Sequence, residues 1–367
     1  MSHFCLLRDA AAYVAHDWDL LKDDAARAHW LDLFARHFVE TMKHATVQYG
    51  RKAFKQVAAA QQQFNAALAD LVACPGGLPG GKLDIVELCR LRERTLRANG
   101  LNDPFKYVKD RENRAAAELY PALVRKGRAM PAARKWLYLI QCVFAGNVFD
   151  LGAVQTLHLA SESTDFAAAL QKLKPRPWLV DDFDRLAADL AAPPPPPNAT
   201  DLISGPPPSK WSKAVLFLDN AGVDFVLGVM PLARELGLAG TKIVLAANEL
   251  PSLNDITADE TADAMGRLSA IDDDLAALIE GRMFEVVSTG NASPLIDLSD
   301  VSAELNEAAA DAELLVLEGM GRAVESNFDA RFKVDTLHLA MLKDEAVARR
   351  IGGELYDCVC KYTPVDA

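Results

Sequence analysis

Polar side chains follow several short apolar runs in the second half of the chain. Acids and amides follow the first two runs, namely Asp219, Asn220, Asn248, Asn254 and Asp255. Glycines and basic residues follow the last two, namely Gly319, Gly321, Arg322 and Lys361. Ligands of open α/β sheets bind at the carboxyl ends of the strands. If the runs are parallel strands, we expect a cation site beside an anion site at one edge of a sheet.

This combination of residue types suits phosphoryl chemistry. Carboxylate and amide oxygens are ligands for hard ions such as Mg²⁺ or Mn²⁺, and such ions polarise phosphoryl oxygens and activate water. Arg322 and Lys361 could hold the remaining phosphate oxygens. Gly319 and Gly321 would let backbone N–H groups approach an anion closely. The sequence therefore favours a metal-dependent phosphate site.

The apolar runs that carry these residues predict a parallel sheet. They span 214–218, 242–247, 283–287, 314–317 and 355–359. Each is short, rich in Val, Leu or Ile, and lacks alternation, as is typical of strands buried on both faces. The segments 223–238 and 257–270 between them have helical spacing. The second half is therefore predicted to be an α/β domain with a three-layer α/β/α arrangement and a mainly parallel sheet.

The first half of the chain has a different pattern. Residues 1–192 are predicted to form a helical region that packs on the α/β/α domain of residues 211–367, with the active site between them. Residues 193–210 contain eight prolines and are interpreted as an exposed linker or an insertion, because consecutive prolines cannot continue a helix. Only His338 of the seven histidines lies in the second part, and we expect it in a helix.

The composition limits the partners. The 39 basic and 51 acidic residues give a net charge of −12, which disfavours nucleic acid as the main partner. The six cysteines form no CxxC pair, so we expect reduced thiols and a cytoplasmic protein. No apolar run approaches the roughly 20 residues that a membrane span needs. A small phosphorylated metabolite remains as the partner, and a homo-oligomer stays open.

Two glycine-containing segments resemble nucleotide-binding motifs, but both motifs are incomplete. The segment from Gly76 to Lys82 resembles a phosphate-binding loop, but Leu83 replaces the required Ser or Thr. The turn from Gly319 to Gly321 begins like a dinucleotide fingerprint, but Val324 replaces the third glycine. Two alternatives remain: a carboxyl methyltransferase that binds a nucleoside cofactor at this turn, and a module that binds a phosphometabolite without cleaving it.

Three longer segments resemble one known family. They are 217–224 with Asp219-Asn220, 245–257 with Asp255, and Glu318-Gly319-Met320-Gly321-Arg322. The chain resembles the damage-control phosphatases with an ARMT-like domain, in the subfamily with the Glu-Gly-Met-Gly-Arg motif. Members of this subfamily occur as stand-alone plant proteins and as a phosphatase domain fused to pantothenate kinase in animals. The resemblance runs from about residue 84 to the end, and the first 80 or so residues match only loosely.

The resemblance implies a metabolite damage-control enzyme. It would hydrolyse phosphomonoesters such as 4′-phosphopantetheine, its oxidised or S-sulfonated forms, and sugar phosphates. The implied cofactor is a divalent metal ion (Mn²⁺, Co²⁺, Ni²⁺ or Mg²⁺) on Asp219, Asn220 and Asp255. The implied substrate-binding residues are Glu318, Gly319, Met320, Gly321 and Arg322, and a helical-region motif adds Asn147 and Asp150. Lys361, and after it Lys343, are added from their charge and position.

Overall fold

The fold is described by a computed structural model that covers residues 2–16, 18–148, 166–191 and 209–365. Asp150 and nearly all of the Pro-rich segment lie outside these ranges. The described helices are α1 (Asp24–Tyr49), α2 (Phe54–Ala73), α3 (Ile85–Ala98), α4 (Lys106–Arg128), α5 (Ala132–Val148), α6 (Phe166–Lys172), α7 (Phe183–Ala191), α8 (Met230–Leu238), α9 (Ala258–Ser269), α10 (Asp273–Glu280), α11 (Ala303–Ala309) and α12 (Glu345–Arg350). None of them is long and apolar enough to cross a membrane.

Seven strands of the described residues form one sheet. They are β1 (Val180–Asp181), β2 (Lys213–Phe217), β3 (Lys242–Ala247), β4 (Phe284–Ser288), β5 (Leu314–Glu318), β6 (Asp335–Met341) and β7 (Cys358–Thr363). Their order across the sheet is β1-β7-β6-β5-β2-β3-β4. Strands β2 to β6 run parallel to one another, whereas β7 runs antiparallel to β6 and pairs with β1 in parallel. The predicted α/β class with a mainly parallel sheet is confirmed.

The sheet contains two strands that the sequence did not indicate. Strand β1 lies in the part of the chain predicted to be only helical. Strand β6 carries His338, so the expectation that this histidine is helical was wrong. Polar residues interrupt the apolar run of β6, and each has at least one hydrogen-bond partner: Asp335 accepts from Trp211 Nε1 at 2.9 Å, and His338 Nε2 lies 3.1 Å from the carbonyl oxygen of Asn327. A strand buried on both faces can therefore contain polar residues, which interrupt the continuous apolar run by which such a strand is recognised in a sequence.

Each face of the sheet has its own hydrophobic core. Val215 and Phe217 of β2 join one core with residues of the N-terminal segment and of α1 to α3. Ala214 and Leu216 point to the other core, which contains residues of α4 to α7, because side chains alternate between faces along a strand. Both cores thus combine residues from before and after the Pro-rich segment, and the early helices supply parts of both outer layers.

Two irregular helical segments lie at the edge where the parallel strands end. Residues Asp224–Val229 form a π-helical segment that continues into α8, and Met320–Glu325 form another after β5. Such π-helical turns occur frequently at functional sites. Helix α9 begins nearby with a capping box in which Thr257 and Glu260 satisfy each other's backbone N–H groups. These elements fix the backbone around the predicted site residues.

Candidate active site

The parallel strands bring the predicted residues to one edge of the sheet. Asp219 follows β2, Asn248 follows β3, and Glu318 is the last residue of β5. The loop after β3 returns to β2, because Asn220 and Asp255 form an antiparallel bridge and the N–H group of Ile256 donates to the carbonyl oxygen of Asp219 at 3.0 Å. The polar residues that follow β2 and β3 therefore lie next to each other, because the carboxyl ends of parallel strands share one edge of the sheet.

Three buried carboxylates form the centre of this region. Oxygen atoms of Asp219, Asp224 and Glu318 all lie within 4.8 Å of one another. Asn147, in the last turn of α5, donates through Nδ2 to Asp219 and Asp224 at 3.1 Å and to Glu318 at 3.2 Å. Asn220 donates to Asp219 at 3.0 Å and to Asp224 at 2.9 Å. We call Asp219, Asp224 and Glu318 the acidic cluster.

The electrostatics of the acidic cluster favour a cation. Burial, with the neighbouring Asp219 charge, raises the pKa of Asp224 to about 6. Burial and the charges of Asp224 and Asp219 raise the pKa of Glu318 well above its ordinary value. Such shifts mean that the ionised carboxylates lack compensating positive charge. Within the described part of the chain, Asp224 Oδ1 and Asn147 Oδ1 are buried without a hydrogen-bond partner. These hard oxygen donors fit a divalent metal ion.

Arg322 links the acidic cluster to Asp255. Its guanidinium donates through Nη1 to Asp219, and through Nη2 to Asp255 at 2.7 Å and to Asn248 Oδ1 at 3.2 Å. Arg322 is fully buried, and the surrounding carboxylates hold its pKa above the ordinary value against the opposing effect of burial. The structure therefore brings Asp219, Asn220 and Asp255 together, and Arg322 pairs with both of the carboxylates in that set.

The glycines after β5 allow close packing of the site's own groups. Gly319 has a φ of 93°, and a Cβ there would lie 2.2 Å from Asp219 Oδ2. A Cβ on Gly321 would lie 2.6 Å from the carbonyl oxygen of Pro294. We expected these glycines to admit a phosphate. In the structure, protein atoms lie where a side chain of either residue would begin, so any larger residue would displace Asp219 or Pro294. Gly321 also lines the cavity described next, and its contact with a phosphate stays a prediction.

A small cavity of about 120 Å³ opens beside these residues. Its lining includes Asp219, Asn220, Asn254, Asp255, Met320, Gly321 and Lys343. Helices α1 and α3 contribute Trp30, Phe34, Cys89 and Arg92 to the same cavity. Residues from the predicted helical region and from the predicted α/β domain thus both line this cavity, and the wall includes Trp30 and Phe34 from the first 80 residues.

A larger cavity of about 510 Å³ lies on the other side of Ile85 and Glu325, which line both cavities. It contains no member of the acidic cluster and neither Arg322 nor Lys343 among its described lining residues. The chemistry therefore identifies the smaller cavity as the candidate site, although it is not the larger of the two.

The structure does not bring Lys361 to the site. Strand β7 is antiparallel, so Cys358 pairs with Met341 at the end of β6, whereas Lys361 pairs with His338 three residues back. The Lys361 ammonium donates to the carbonyl oxygen of Phe328 and lies 4.1 Å from the centre of that ring. The prediction assumed a parallel last strand. Lys343, the weaker sequence candidate, lines the cavity, and Asp150 lies outside the described residues.

Sequence reasoning missed several residues of the site, including Asp224, Trp30 and Arg92. Asp224 was not recognised, although its position five residues after Asp219, at the start of a helical segment, was a usable signal. Trp30 and Arg92 come from helices about 130 to 190 residues earlier in the chain, and only the tertiary fold places them in the cavity. The segment 88–93, which contains Arg92, also resembles the family, but its charges are typical of a solvated helix face, and no pattern marks Trp30.

Comparisons with known proteins identify the family of the chain. The profile of the damage-control phosphatase ARMT1-like domain matches residues 24–359. A damage-control phosphatase of Arabidopsis thaliana is 39% identical over 92% of this chain and 88% of its own length. A pantothenate kinase 2 of the same plant is 36% identical over 98% of this chain but only 42% of its own length.

More distant relatives extend the comparison. A mouse 4′-phosphopantetheine phosphatase is 28% identical over 97% of this chain and 48% of its own length. The chain thus spans less than half of this relative and of the plant kinase. A solved structure of a DUF89 family protein from Pyrococcus horikoshii shares the fold, with a TM-score of 0.58, 19% identity, and coverage of 90% of this chain and 96% of that one.

Proposed function

We propose, since this chain belongs to the damage-control phosphatase family with an ARMT1-like domain, that it hydrolyses phosphomonoesters of small metabolites with a divalent metal ion. The observation that carries the proposal is the buried acidic cluster, whose Asp219 lines a cavity. Lys343 and Asp255, a hydrogen-bond partner of Arg322, line the same cavity. A cation would stabilise three ionised carboxylates at such close range, and Arg322 and Lys343 suit the phosphoryl group that would lie next to it.

The metal would be held by Asp219, Asn220 and Asp255, with Asp224 and Glu318 as further carboxylates. Asp219 belongs to both groups, which supports it as the central ligand. A bound divalent ion supplies Lewis-acid charge and lowers the pKa of water. Mn²⁺, Co²⁺, Ni²⁺ and Mg²⁺ all accept oxygen ligands of this kind, and we propose these four as the ions to test.

The phosphoryl group would be bound by Arg322 and Lys343. Arg322 presents a planar fork of donors that matches phosphate oxygens, and its present partners are Asp219 and Asp255. Lys343 is buried at the cavity, and its charge partly opposes the rise that burial causes in the pKa values of Asp224 and Glu318. In a site shielded from water, both cations would stabilise the charge that develops on the phosphoryl oxygens.

The proposed substrate is 4′-phosphopantetheine, including its oxidised and S-sulfonated forms, with sugar phosphates as the second choice. Support comes from the mouse relative, which is named for the first activity. We also propose a cytoplasmic setting, which the six free cysteines suit. A small phosphorylated metabolite is the partner, and no nucleic acid is expected for a chain of net charge −12.

The test uses metal-stripped protein and a chromogenic phosphomonoester, with and without Mn²⁺ or Co²⁺. We expect phosphate release only with metal, and a loss of at least about 100-fold in Asp219→Ala. Asp259→Ala is the matched control, because Asp259 is an exposed carboxylate close in sequence to Asp255. Metal-independent release, or full activity in Asp219→Ala, would contradict the proposal. Comparing 4′-phosphopantetheine with hexose phosphates then identifies the preferred ester.

A further inference from the structure

The helical wall of the cavity contains buried hydrogen-bond donors that lack partners. Trp30 of α1 and Arg92 of α3 both line the cavity. Trp30 Nε1 and Arg92 Nη2 are buried and make no hydrogen bond to any described residue. Leaving such donors unpaired costs free energy, and native proteins pair almost all of them. Two unpaired donors on one cavity wall therefore indicate a ligand with acceptor atoms.

The same cavity also offers an unpaired acceptor. Asn254, in the loop before α9, lines the cavity, and its Oδ1 is buried with no hydrogen-bond partner in the described ranges. Two donors and one acceptor together match groups that both accept and donate, such as amides and hydroxyls. A purely hydrocarbon group would leave all three atoms unpaired.

Both donors are held in fixed orientations by their neighbours. The Trp30 ring makes edge-on contacts with Trp18, His29 and Phe34, with centroid distances of 6.2, 5.4 and 6.5 Å. Arg92 lies over the Phe34 ring at 5.6 Å and donates through Nε to Glu93 at 3.0 Å. Each residue thus uses its other contacts to fix its position, and the free N–H group remains for a ligand.

We propose that Trp30 and Arg92 determine substrate specificity by donating hydrogen bonds to oxygen atoms in the organic part of the phosphomonoester. Asn254 would accept from an N–H or O–H group of the same part. The preferred substrates are then esters of amide-containing or hydroxyl-rich alcohols, and esters of plain hydrocarbon alcohols or phenol are disfavoured. This proposal rests on the proposed phosphatase function, because it assigns the organic end of that enzyme's substrate.

The sharpest test is Trp30→Phe, which removes the N–H donor and keeps an aromatic ring. We expect kcat/KM for 4′-phosphopantetheine and for a hexose phosphate to fall about five- to tenfold, chiefly through KM, with phenyl phosphate unchanged within about twofold. Trp178→Phe is the matched control. Trp178 is an equally buried indole whose N–H also lacks a partner among the described residues, but it does not line this cavity.

Arg92→Lys provides a second test. It distinguishes direct binding of the substrate by Arg92 from an indirect role in which Arg92 only positions the loop that carries Asp255. Glu93, the partner of Arg92, accepts from Ser252 at 2.9 Å, so Arg92 also supports the loop that carries Asp255. If Arg92 acts only through this loop, all esters lose kcat/KM equally. If it binds the organic part, the loss is selective and about tenfold.

The outcomes distinguish this proposal from the proposed function. Selective losses in Trp30→Phe and Arg92→Lys support the specificity role. Unselective losses in both variants, or no loss in either, overturn it while metal-dependent release from phenyl phosphate by the unmodified protein upholds the phosphatase. If the unmodified protein releases phosphate from none of the three esters, both proposals are overturned.

Discussion

At the scale of single residues, Asp219 belongs to the acidic cluster and also pairs with Arg322, which connects the cluster to Asp255. Oδ2 of Asp219 accepts from Asn147 and Asn220, its Oδ1 accepts from Arg322, and its N–H group donates to Glu318 at 3.1 Å. Its carboxylate also lies against the bare Cα of Gly319. A displacement of Asp219 would therefore disturb the acidic cluster and the arginine bridge together.

Gly319→Ala should separate this close contact from ordinary backbone strain. The new Cβ would lie 2.2 Å from Asp219 Oδ2, so we expect kcat/KM to fall by about 100-fold as the carboxylate moves. Gly240→Ala is the control, because Gly240 has a similar φ of 94° and open space around its Cα. Both variants should lose about 1–2 kcal/mol of stability. Equal catalytic losses in the two variants would show that strain alone matters.

Asp224→Asn should change the pH dependence of stability in the metal-free protein. Because the pKa of Asp224 is raised from 3.8 to about 6 in the folded state, the folded state binds more protons than the unfolded state between these values. This residue therefore reduces the free energy of unfolding as pH rises through that window. We expect the variant to gain stability relative to the unmodified protein from about pH 4 to 6. Urea unfolding at several pH values measures this difference, and a constant difference would contradict the shift.

Residue types at strand ends were predictable, whereas their exact partners were not. Asp219, Asn220 and Asp255 follow from the rule that ligands bind at the carboxyl ends of parallel strands. Asn147 was found only through the family resemblance, and the structure places it against all three carboxylates. Trp30 depends on packing between distant helices, for which the sequence contains no local pattern.

At the scale of elements, helix α4 is tied to the loop that carries Asp255. Lys109 of α4 is buried, and its ammonium lies 2.9 Å from Glu260 and 3.1 Å from Asp103. It also donates to the carbonyl oxygen of Asp255 at 3.4 Å. Glu260 in turn forms the capping box of α9. One buried cation thus connects α4, the start of α9 and the site loop.

Lys109→Met should be strongly destabilising. Removing the ammonium leaves Glu260 and Asp103 without their buried cation, so we expect a loss of about 3 kcal/mol in the free energy of unfolding. Lys106→Met is the control on the same helix. Lys106 pairs with Asp110 and Glu260 but is 41% exposed. Lys106→Met should therefore lower the free energy of unfolding by less than about 1 kcal/mol. Similar losses in both variants would contradict the role assigned to Lys109.

Strand order and direction explain why one site residue was misplaced. The apolar runs indicated β2 to β5 and β7, but a run of apolar residues has no direction. Lys361 was assigned to the site as if β7 were parallel, whereas the structure has β7 antiparallel to β6. The pairing partner of an edge strand depends on contacts far apart in sequence, which a single sequence does not reveal.

At the scale of the whole molecule, the two predicted parts share their interior. Phe38 of α1 and Phe217 of β2 belong to one core, and Phe144 of α5 and Leu216 of β2 belong to the other. The helices of the first part therefore cover a sheet whose strands come mostly from the second. The division of the chain at residues 193–210 remains a prediction about sequence segments, not about separate cores.

Unfolding should consequently occur in a single cooperative transition. Trp30, Trp136 and Trp178 report on the first part and Trp211 on the second, and all four are buried in the shared cores. We expect the fluorescence and far-ultraviolet circular dichroism transitions in urea to coincide. Separate expression of residues 1–192 and 209–367 should give unfolded chains. Two resolved transitions would contradict a shared interior.

The central claim is that a metal ion at the acidic cluster is required for phosphate release. The most direct measurement titrates Mn²⁺ into metal-stripped protein and follows binding by calorimetry and phosphate release from 4′-phosphopantetheine in the same buffer. We expect the two midpoints to coincide, with both signals lost in Asp219→Ala. Binding without release, or release that does not follow binding, would show that the ion at this cluster is not the one required for hydrolysis.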